Sequence, residues 1–327
     1  MPIGIVSLGA YVPPRVVDNS QIKSWTGVEP SRVEDRTGIA SRRYIEPGVT
    51  TSQLAAKAVE SMLRDSTYSL ADVGLTVLAT SSPDQPMPAT AVRMQNLLRM
   101  GRVPAFDVNA VCTGFVYALD VAESMLQRHA NIKAALVVAS DIYSTVMDRA
   151  DWRTVSLFGD GAGAVLISEV PHGYGIHATK LVADGTYEDL VEIVAGGTRK
   201  TLDMRARMLG EHLFRMKGRE VRDYLIANIP RLVEEALASA DLKIEDIDRV
   251  IIHQANVRLV ESIASELGVS MERVPLTAPS YGNTGAASVP ITLHKSHTEK
   301  KLERGERLLL IAAGGGITLG ATVLTWY

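Results

Sequence analysis

Apolar residues recur along the chain in short, uninterrupted runs, and longer segments with helical periodicity lie between these runs. Uninterrupted apolar runs of strand length, alternating with helices, are typical of a sheet that is covered on both faces. The pattern therefore predicts an α/β fold around a buried, largely parallel sheet. The predicted strands are Ile3–Leu8, Leu75–Ala79, Leu136–Ala139, Ala164–Ile167, Val250–Ile252, Leu308–Ala312 and Thr322–Thr325. The predicted helices include Thr51–Leu63, Thr113–Leu126, Gly218–Ala238 and Val257–Leu267.

The same order of short motifs occurs in both halves of the chain. Three matched pairs share an offset of 171 to 174 residues, and a fourth, at 157, indicates an insertion near residues 141–158. Ordered matches of this kind favour a duplicated α/β unit over chance. We therefore predict two related halves, residues 1–170 and residues 171–327. The matched pairs are Leu70–Ser81 with Ile244–Ala255, Ile132–Ser140 with Gly305–Ala313, Cys112–Gly114 with Asn283–Gly285, and Gly163–Ile167 with Gly320–Leu324.

Composition and charge limit the functional classes that fit this chain. It has 327 residues, 46% hydrophobic and 22% charged, which suits a globular protein of about two domains. A net charge of −3 argues against nucleic acid or an anionic membrane as the main partner. No apolar run reaches the length of a membrane span, and the N-terminus lacks the features of a signal peptide. One cysteine cannot form an internal disulfide, so we expect a cytoplasmic protein.

Cys112 is the only cysteine, and it lies between a strand-like run and an apolar helix in the segment FDVNAVCTGFVYAL. The N-terminus of a helix carries unpaired N–H groups and a partial positive charge, which favour a thiolate. Lone cysteines are more often buried as small apolar residues, so the position alone leaves both interpretations open. The small neighbours Thr113 and Gly114 leave space for a substrate at the sulfur. We therefore treat Cys112 as a candidate nucleophile.

His253 and Asn283 are the candidate partners of that nucleophile. His253 ends the apolar strand in VIIHQAN, and Asn283 lies between glycines in SYGNTGAASVP. Duplicated halves that pack around a pseudo-twofold axis bring equivalent loops together, and ligands of α/β proteins bind at the carboxyl ends of strands. Each residue also has a structural interpretation, as a core histidine and as a turn or N-cap asparagine. If the three side chains meet, they form a nucleophile with two polar partners.

Two glycine-rich segments, Phe158–Ile167 and Ala312–Ala321, each lead into a predicted strand. Neither is a phosphate loop, because neither contains the P-loop lysine and neither opens a helix. We expect their glycines to permit tight turns and close approach of a substrate, with a backbone N–H available to an oxyanion.

Five motifs, in unbroken order, resemble β-ketoacyl-acyl-carrier-protein synthase III, the starter condensing enzyme of bacterial fatty acid synthesis in the thiolase superfamily. The resemblance runs from about residue 3 to the C-terminus. It implies an α/β fold of the thiolase type, with five layers (αβαβα) built from two duplicated halves, and a homodimer. The motifs are AVCTGF (Ala110–Phe115), FGDGAG (Phe158–Gly163), HQAN (His253–Asn256), GNTGAAS (Gly282–Ser288) and GGG (Gly314–Gly316).

The resemblance implies a role for each candidate residue. Cys112 would take an acyl group from acyl-CoA, while His253 and Asn283 would bind the malonyl thioester on acyl carrier protein and promote its decarboxylation. The resulting carbanion would attack the acyl-cysteine and give a β-ketoacyl-carrier protein. The N–H groups of Cys112 and Gly315 would form the oxyanion hole for acyl transfer. This is an acyltransferase reaction of fatty acid biosynthesis that needs no cofactor and no metal.

The resemblance also implies a site for the nucleotide of coenzyme A. Arg36, in RTGIASR, matches the family arginine that meets the nucleotide. The tryptophan and arginine that usually clamp adenine stand exchanged here, as Arg32 and Trp152, and the pair can still clamp a base from opposite faces. A slip of the loop alignment, which would leave both as surface residues, stays open.

Three further arginines match the basic rim that receives the acidic carrier protein in this family, and an ordinary solvated helix face is the alternative for each. They are Arg258, Arg219 and Arg222.

Several positions depart from the family pattern. Ala313 stands where an aromatic residue usually precedes the GGG run, and Gly285 replaces a frequent serine. Met87 stands where a phenylalanine often reaches across the dimer to close the acyl pocket, to which Phe158 and Ala313 are also expected to belong. These changes leave open a relative of specialised metabolism, such as an enzyme that extends diacid thioesters toward biotin precursors. A catalytically silent partner subunit is disfavoured, because such a subunit is expected to lose one member of the Cys-His-Asn set.

Overall fold

The computed structural model describes residues 1–64 and 66–327, and its strands and helices alternate along most of the chain. The strands are β1 (Ile3–Tyr11), β2 (Arg15–Asp18), β3 (Ser41–Tyr44), β4 (Val73–Ala79), β5 (Ala105–Val108), β6 (Ala134–Asp141), β7 (Gly161–Glu169), β8 (Gly175–Ala183), β9 (Val191–Glu192), β10 (Arg215–Met216), β11 (Arg249–Ile252), β12 (Arg307–Gly314) and β13 (Thr318–Thr325). The helices are α1 (Asn19–Thr26), α2 (Pro30–Thr37), α3 (Thr51–Arg64), α4 (Thr90–Leu97), α5 (Gly114–Arg128), α6 (Trp152–Val155), α7 (Met204–Met208), α8 (Gly218–Ser239), α9 (Val257–Glu266), α10 (Ala278–Tyr281) and α11 (Ser288–Glu299).

Two central sheets organise the fold. One has the strand order β1-β7-β6-β4-β5, and the other has the order β11-β12-β13-β8. Helices α5 and α11 lie between the sheets, where Phe115 and Leu293 belong to one shared apolar core. Helices α3 and α4 cover the outer face of the first sheet, and α8 and α9 cover the outer face of the second. The result is the expected five-layered αβαβα arrangement.

The two covered faces explain the uninterrupted apolar runs. Successive side chains of a strand point to opposite faces. In β12, Leu308 and Leu310 therefore pack into the core between the sheets, whereas Leu309 and Ile311 pack against the outer helices. All six inner positions of β12 are buried, so the sequence shows no alternation of polar and apolar residues.

The expectation of a largely parallel sheet is wrong. Only β4–β5, β4–β6 and β11–β12 are parallel pairs in the two central sheets, whereas β1–β7, β6–β7, β12–β13 and β13–β8 are antiparallel. Continuous apolar strands report that both faces are covered, and here helices cover both faces of mixed sheets. The direction of neighbouring strands leaves no mark on that pattern.

The duplication predicted from the sequence is visible in the backbone, but one of its matched pairs was misaligned. Helices α5 and α11 begin at Gly114 and Ser288, and the short 3₁₀ turns before them begin at Val111 and Gly285, an offset of 174 residues in both cases. Val111 and Gly285 both have positive φ, at 48° and 60°.

At this offset Asn283 is equivalent to Asn109, and not to Cys112. The side-chain oxygen of each asparagine accepts a hydrogen bond from the N–H two residues later, at 3.1 Å for Asn109 and 2.9 Å for Asn283. The similarity of CTG to NTG pairs Cys112 with Asn283 in the sequence comparison. This pairing differs by three residues, close to one helical turn, from the equivalence seen in the backbone. Cys112 is instead equivalent to Ala286.

The halves differ most in the connection between their last two long strands. Residues 142–160 link β6 to β7, whereas residues 315–317 link β12 to β13. The extra length lies where the sequence indicated an insertion. Among the described residues, none of the helices combines the length and the apolar character that a membrane crossing requires.

Candidate active site

A cavity of about 250 Å³ opens where the ends of β11 and β12 face the 3₁₀ turn that precedes α5. Cys112, His253 and Asn283 all line this cavity, together with Gly315. The three residues are distant in sequence, and the packing of the two halves brings them together. Each is nearly inaccessible to solvent, with 7%, 6% and 5% of its surface exposed.

Cys112 lies at the bottom of the cavity, in the 3₁₀ turn Val111–Thr113. Burial raises the pKa of its thiol to about 12, and the nearby Asp141 carboxylate adds to this. The N-terminus of α5 also favours a thiolate, but a helix dipole contributes at most about 2 kcal/mol in partly buried geometries. The side chain therefore rests as a protonated thiol near neutral pH.

Val111 and Gly314 hold the backbone of Cys112 in place. Val111 has φ 48°, a left-handed conformation that is unusual for a β-branched residue and that turns the chain sharply just before Cys112. At the end of β12, a Cβ on Gly314 would lie 2.8 Å from the Cys112 nitrogen. Only glycine allows β12 to approach the nucleophile this closely.

His253 follows directly after β11, and its side chain is fixed by a hydrogen bond to one of its two ring nitrogens. Its Nδ1 lies 2.6 Å from the hydroxyl of Ser288, the first residue of α11, which leaves Nε2 as the free ring nitrogen. The Ser288 hydroxyl also accepts a bond from the Gln254 N–H at 3.4 Å. Burial lowers the pKa of His253 to about 4. The imidazole is therefore neutral at physiological pH.

Asn283 is fixed by both its backbone and its side chain. Its N–H donates to the Leu157 carbonyl at 2.8 Å, and its own carbonyl accepts from the Gly159 N–H at 2.9 Å. The side-chain oxygen accepts from the Gly285 N–H. Because this oxygen is occupied by an N–H group, the amide NH2 is left as the group that can donate a hydrogen bond to a ligand.

Two residues beside the nucleophile were missed by sequence reasoning. Tyr143 and Asp141 lie close enough to Cys112 to affect the pKa of its thiol, and Asp141 is the last residue of β6. Asp141 ends β6 and Tyr143 lies in the connection that follows, a stretch in which the sequence indicates only an insertion in one half. Phe214, which lines the cavity and packs on Tyr143 and Phe158, was also missed.

Comparison with known proteins identifies the family of this chain. A family model described as 3-oxoacyl-[acyl-carrier-protein] synthase III matches residues 106–185, and the model of its C-terminal part matches residues 237–326. The β-ketoacyl-[acyl-carrier-protein] synthase III of Rhodospirillum centenum is 40% identical over 327 aligned residues, which cover 98% of each chain.

Solved structures give the same result. The 3-oxoacyl-[acyl-carrier-protein] synthase III of Aquifex aeolicus superposes with a TM-score of 0.90 at 35% identity, over 99% of this chain and 100% of that one. The corresponding enzyme of Thermus thermophilus gives 0.92 at 34% identity, over 99% of each chain. This chain belongs to the β-ketoacyl-acyl-carrier-protein synthase III family. It is therefore an acyltransferase of the condensing type with a thiolase-like fold, as its motifs predicted.

The residues predicted to bind the nucleotide in this family member lie in two places. The guanidinium carbon of Arg32 lies 5.2 Å from the centre of the Trp152 ring, so these two side chains face each other and touch. At this distance no aromatic base fits between them, and nucleotide binding there would require the two side chains to part. Arg36 follows Arg32 by about one helical turn in α2, and it lies on the lining of the cavity.

The arginines predicted at the carrier-protein rim are divided in the same way. Arg222 and Arg258 line the cavity, and both are exposed. Arg258 pairs with Glu261 at 3.1 Å, and its Nε donates to the Asp35 carbonyl. Arg219 is exposed on the first turn of α8 but does not belong to the cavity lining in the part of the chain that the structure describes.

The residues predicted for the acyl pocket also differ in their placement. Phe158 and Ala313 are buried and line the cavity. Met87 is 78% exposed and lies outside the described cavity lining of its own chain. Its predicted role is to close the acyl pocket of a partner subunit. This role concerns a second chain and stays a prediction.

Proposed function

We propose that this protein condenses an acyl-CoA starter with malonyl-acyl carrier protein, by decarboxylative Claisen condensation, in fatty acid biosynthesis. Cys112 attacks the thioester of the starter, coenzyme A leaves, and the acyl group remains on the sulfur. Decarboxylation of the malonyl group then produces the carbon nucleophile that attacks this acyl-cysteine. All steps use the two thioester substrates and side chains of the chain itself, so the reaction requires neither a cofactor nor a metal.

Acyl transfer to Cys112 passes through a tetrahedral intermediate that carries a negative oxygen. We propose that the N–H groups of Cys112 and Gly315 stabilise this oxyanion. The close approach of Gly314 to the Cys112 nitrogen supports this, because it brings the end of β12 beside the nucleophile. Removing one such donor typically costs about 2.7–4 kcal/mol of transition-state stabilisation.

The orientation of His253 and Asn283 carries the proposal for the second half-reaction. In each side chain one polar atom is already hydrogen-bonded. Nδ1 of His253 is bonded to the Ser288 hydroxyl, and the amide oxygen of Asn283 accepts from the Gly285 N–H. This leaves Nε2 and the amide NH2 as the groups available on the cavity side. Two donors at the malonyl thioester oxygen would stabilise the negative charge that develops as carbon dioxide leaves.

The neutral state of His253 supports the same role. A backbone N–H at 3.4 Å reaches the Ser288 hydroxyl, so that hydroxyl can donate its proton to Nδ1 and place the ring proton on Nε2. The buried ring with its lowered pKa then acts as a neutral hydrogen-bond donor. A cationic imidazolium would instead add a charge that the apolar surroundings disfavour.

The charges around the cavity favour a simple acyl starter over a diacid. Its cationic lining residues are Arg36, Arg222 and Arg258, all of them exposed. A terminal carboxylate in the buried pocket beside Phe158 would need a partner there. The exposed arginines instead suit the phosphates of coenzyme A and the acidic surface of a carrier protein, with Arg219 farther out on α8. The stacked pair Arg32 and Trp152 is the proposed contact for adenine.

We further propose that the protein acts in the cytoplasm as a homodimer. Apolar side chains are exposed beside the edge strand β5, with exposed fractions of 78% for Met87, 40% for Val92 and 47% for Leu97. A second copy that pairs along this edge would cover them. The single thiol suits a reducing compartment. Size-exclusion chromatography with light scattering tests the dimer, and a monomer at micromolar concentration would contradict it.

Mass spectrometry of the Cys112 peptide tests the reaction in two stages. The protein is first exposed to a panel of acyl-CoAs, and malonyl-acyl carrier protein is then added. We expect an acyl group on Cys112 that disappears as the β-ketoacyl-carrier protein forms, and no label on the Cys112→Ala variant. An acyl group that stays on Cys112 would favour a transferase of specialised metabolism, and unchanged labelling of Cys112→Ala would refute the nucleophile.

A further inference from the structure

Two threonine hydroxyl groups tie the turn that carries Cys112 to the connection between β12 and β13. The Thr113 hydroxyl donates to the Thr318 carbonyl at 3.0 Å. The Thr318 hydroxyl lies 3.1 Å from the Ala110 carbonyl and 3.0 Å from the Thr113 hydroxyl. These bonds join residues that are 205 to 208 positions apart, in opposite halves of the chain. We call the pair Thr113 and Thr318 the threonine clamp.

Each member of the threonine clamp adjoins one of the two proposed oxyanion donors. Thr113 directly follows Cys112 in the 3₁₀ turn Val111–Thr113. Thr318 is the first residue of β13, and its hydroxyl lies 3.3 Å from the carbonyl of Gly315. The clamp therefore joins the two segments whose N–H groups are proposed to form the oxyanion hole.

The surroundings of the clamp leave little space for the two segments to shift. A Cβ on Gly314 would lie only 2.8 Å from the Cys112 nitrogen, so the end of β12 is in close contact with the turn. The connection is also bonded to the end of β8, because the Ile317 N–H donates to the Asp184 carbonyl at 3.0 Å and accepts the reciprocal bond at 2.8 Å. Thr113 is completely buried, at 0% exposure, so water does not replace a bond that is lost there.

The two hydroxyl protons of the clamp allow two ties to exist at the same time. The Thr113 proton is directed to the Thr318 carbonyl, so the Thr318 proton is available to the Ala110 carbonyl. That carbonyl also accepts the Thr113 N–H at 3.1 Å, which uses its second lone pair. Removing one hydroxyl breaks one tie and leaves the other in place.

We propose that Thr113 and Thr318 are positioning residues that set the distance between the N–H groups of Cys112 and Gly315. Two donors stabilise one oxyanion only if each lies about 2.7–3.1 Å from the position that the oxygen will occupy. A clamp that fixes both donors before the substrate binds removes the cost of arranging them during the reaction. This inference rests on the proposed function, which supplies the acyl chemistry and the two donors.

Valine substitutions test the clamp, because valine keeps the branched shape of threonine and lacks the hydroxyl. Thr113→Val and Thr318→Val each leave one tie, so acylation of Cys112 by radiolabelled acetyl-CoA should slow by about threefold in each, the effect of one lost neutral hydrogen bond. The double variant loses both ties. It should slow by about 30-fold, which exceeds the product of about ninefold because coupled residues are not additive.

Two further readouts separate positioning of the donors from a general structural role. The rapid-quench rate at saturating acetyl-CoA should fall, whereas the concentration that gives the half-maximal rate should stay within about twofold, because the bound thioester carries no oxyanion. Alkylation of Cys112 by iodoacetamide is a direct displacement that forms no oxyanion. It should keep the wild-type rate in all three variants.

A second pair of threonines provides the matched control. The hydroxyls of Thr179 and Thr322 lie 3.0 Å apart between β8 and β13, the strand that also contains Thr318. The double variant Thr179→Val/Thr322→Val should acylate within about twofold of the wild type. Thr113→Ser and Thr318→Ser keep the hydroxyl groups and should also stay near the wild-type rate. Thermal unfolding verifies that each variant is folded, and the single variants decide the question if the double variant unfolds.

The ester p-nitrophenyl acetate separates the clamp from the proposed function, because its acetyl group reaches Cys112 through a tetrahedral oxyanion without coenzyme A. Slow capture from this ester by the valine variants of a protein that takes nothing from acyl-CoA would uphold the clamp and refute the proposed function. Capture at wild-type rates by the valine variants would overturn the clamp alone. So would a parallel loss of alkylation or an equal loss in the serine variants. Absence of capture from both donors would refute both proposals.

Discussion

Replacing Gly314 by alanine would place a methyl group against the backbone that carries Cys112. The new Cβ would lie 2.8 Å from the Cys112 nitrogen and 2.9 Å from both the Ala110 oxygen and the Thr113 nitrogen. All three are main-chain atoms, which cannot rotate away as the end of a flexible side chain can. Ordinary van der Waals contact begins at 3.4 Å, so the turn or the end of β12 must move by about 0.6 Å.

The size of this shift gives the expected effects. Overpacking in a close-packed region typically costs about 1–3 kcal/mol, which should lower the free energy of unfolding by that amount. A misplacement of about 1 Å at a reacting centre can cost about 100-fold in rate, so a shift of this size should slow acylation by about tenfold or more. The loss should appear in acyl transfer to Cys112, because the shift displaces both the nucleophile and its N–H group.

Rapid-quench acylation with radiolabelled acetyl-CoA measures the first effect, and urea unfolding measures the second. Gly101→Ala is the matched control, because no atom lies within 4 Å of the Cβ that it would add. We expect the control to behave as the wild type in both assays. Gly314→Ala with wild-type acylation and an unfolding free energy changed by less than about 0.5 kcal/mol would refute the packing argument.

Further predictions concern the other side chains of the site. His253→Ala and Asn283→Ala should each slow condensation by about 100-fold or more and leave acyl capture by Cys112 nearly intact, and equal loss of both half-reactions would contradict the division of roles. Because the buried His253 has a pKa of about 4, below its unfolded value of 6.5, the stability it contributes is fully present above pH 6.5 and is lost as the pH falls toward 4. Urea unfolding should therefore show a wild-type loss between pH 7 and pH 5 that exceeds the loss in His253→Gln by about 2 kcal/mol, and equal losses would show that the ring is not buried in its neutral form. Trp152→Ala should raise the KM for acyl-CoA by about three- to tenfold with little change in kcat, since a stacking contact contributes about 1 kcal/mol, and an unchanged KM would remove Trp152 from the nucleotide site.

The sequence predicted the long elements of this fold well because burial on two faces leaves a simple signal. Predicted strands such as Leu136–Ala139 fall inside observed strands, here β6 (Ala134–Asp141), and helix α3 was predicted within one residue of its end. Strand direction was predicted wrongly, since parallel and antiparallel strands with two covered faces have the same apolar pattern. β8 was missed because seven of its nine positions are partly buried or exposed, so its sequence has no continuous apolar run.

The site was predictable only where short motifs mark it. Cys112, His253 and Asn283 each lie in a motif, and the fold brings them to one cavity as expected. Tyr143 and Asp141 lie in no motif that the chain alone reveals, and their position near Cys112 depends on how the end of β6 and the long connection after it fold back. Residues that act through tertiary packing of an irregular segment leave no periodic pattern in the sequence.

The two halves differ in the residue that ends the strand beside each equivalent helix start. Asp141 and Gly314 end equivalent strands, β6 and β12, and each faces the helix start of the opposite half. The Asp141 carboxylate is bonded to the Ala286 N–H at 2.8 Å, whereas the equivalent Cys112 N–H faces a glycine that has no side chain. The Ala286 N–H is therefore paired with a carboxylate of the protein itself, whereas the Cys112 N–H meets no side chain at the equivalent position and is available for the oxyanion that we propose. A single position, occupied by an aspartate in one half and by a glycine in the other, thus distinguishes the two equivalent helix starts.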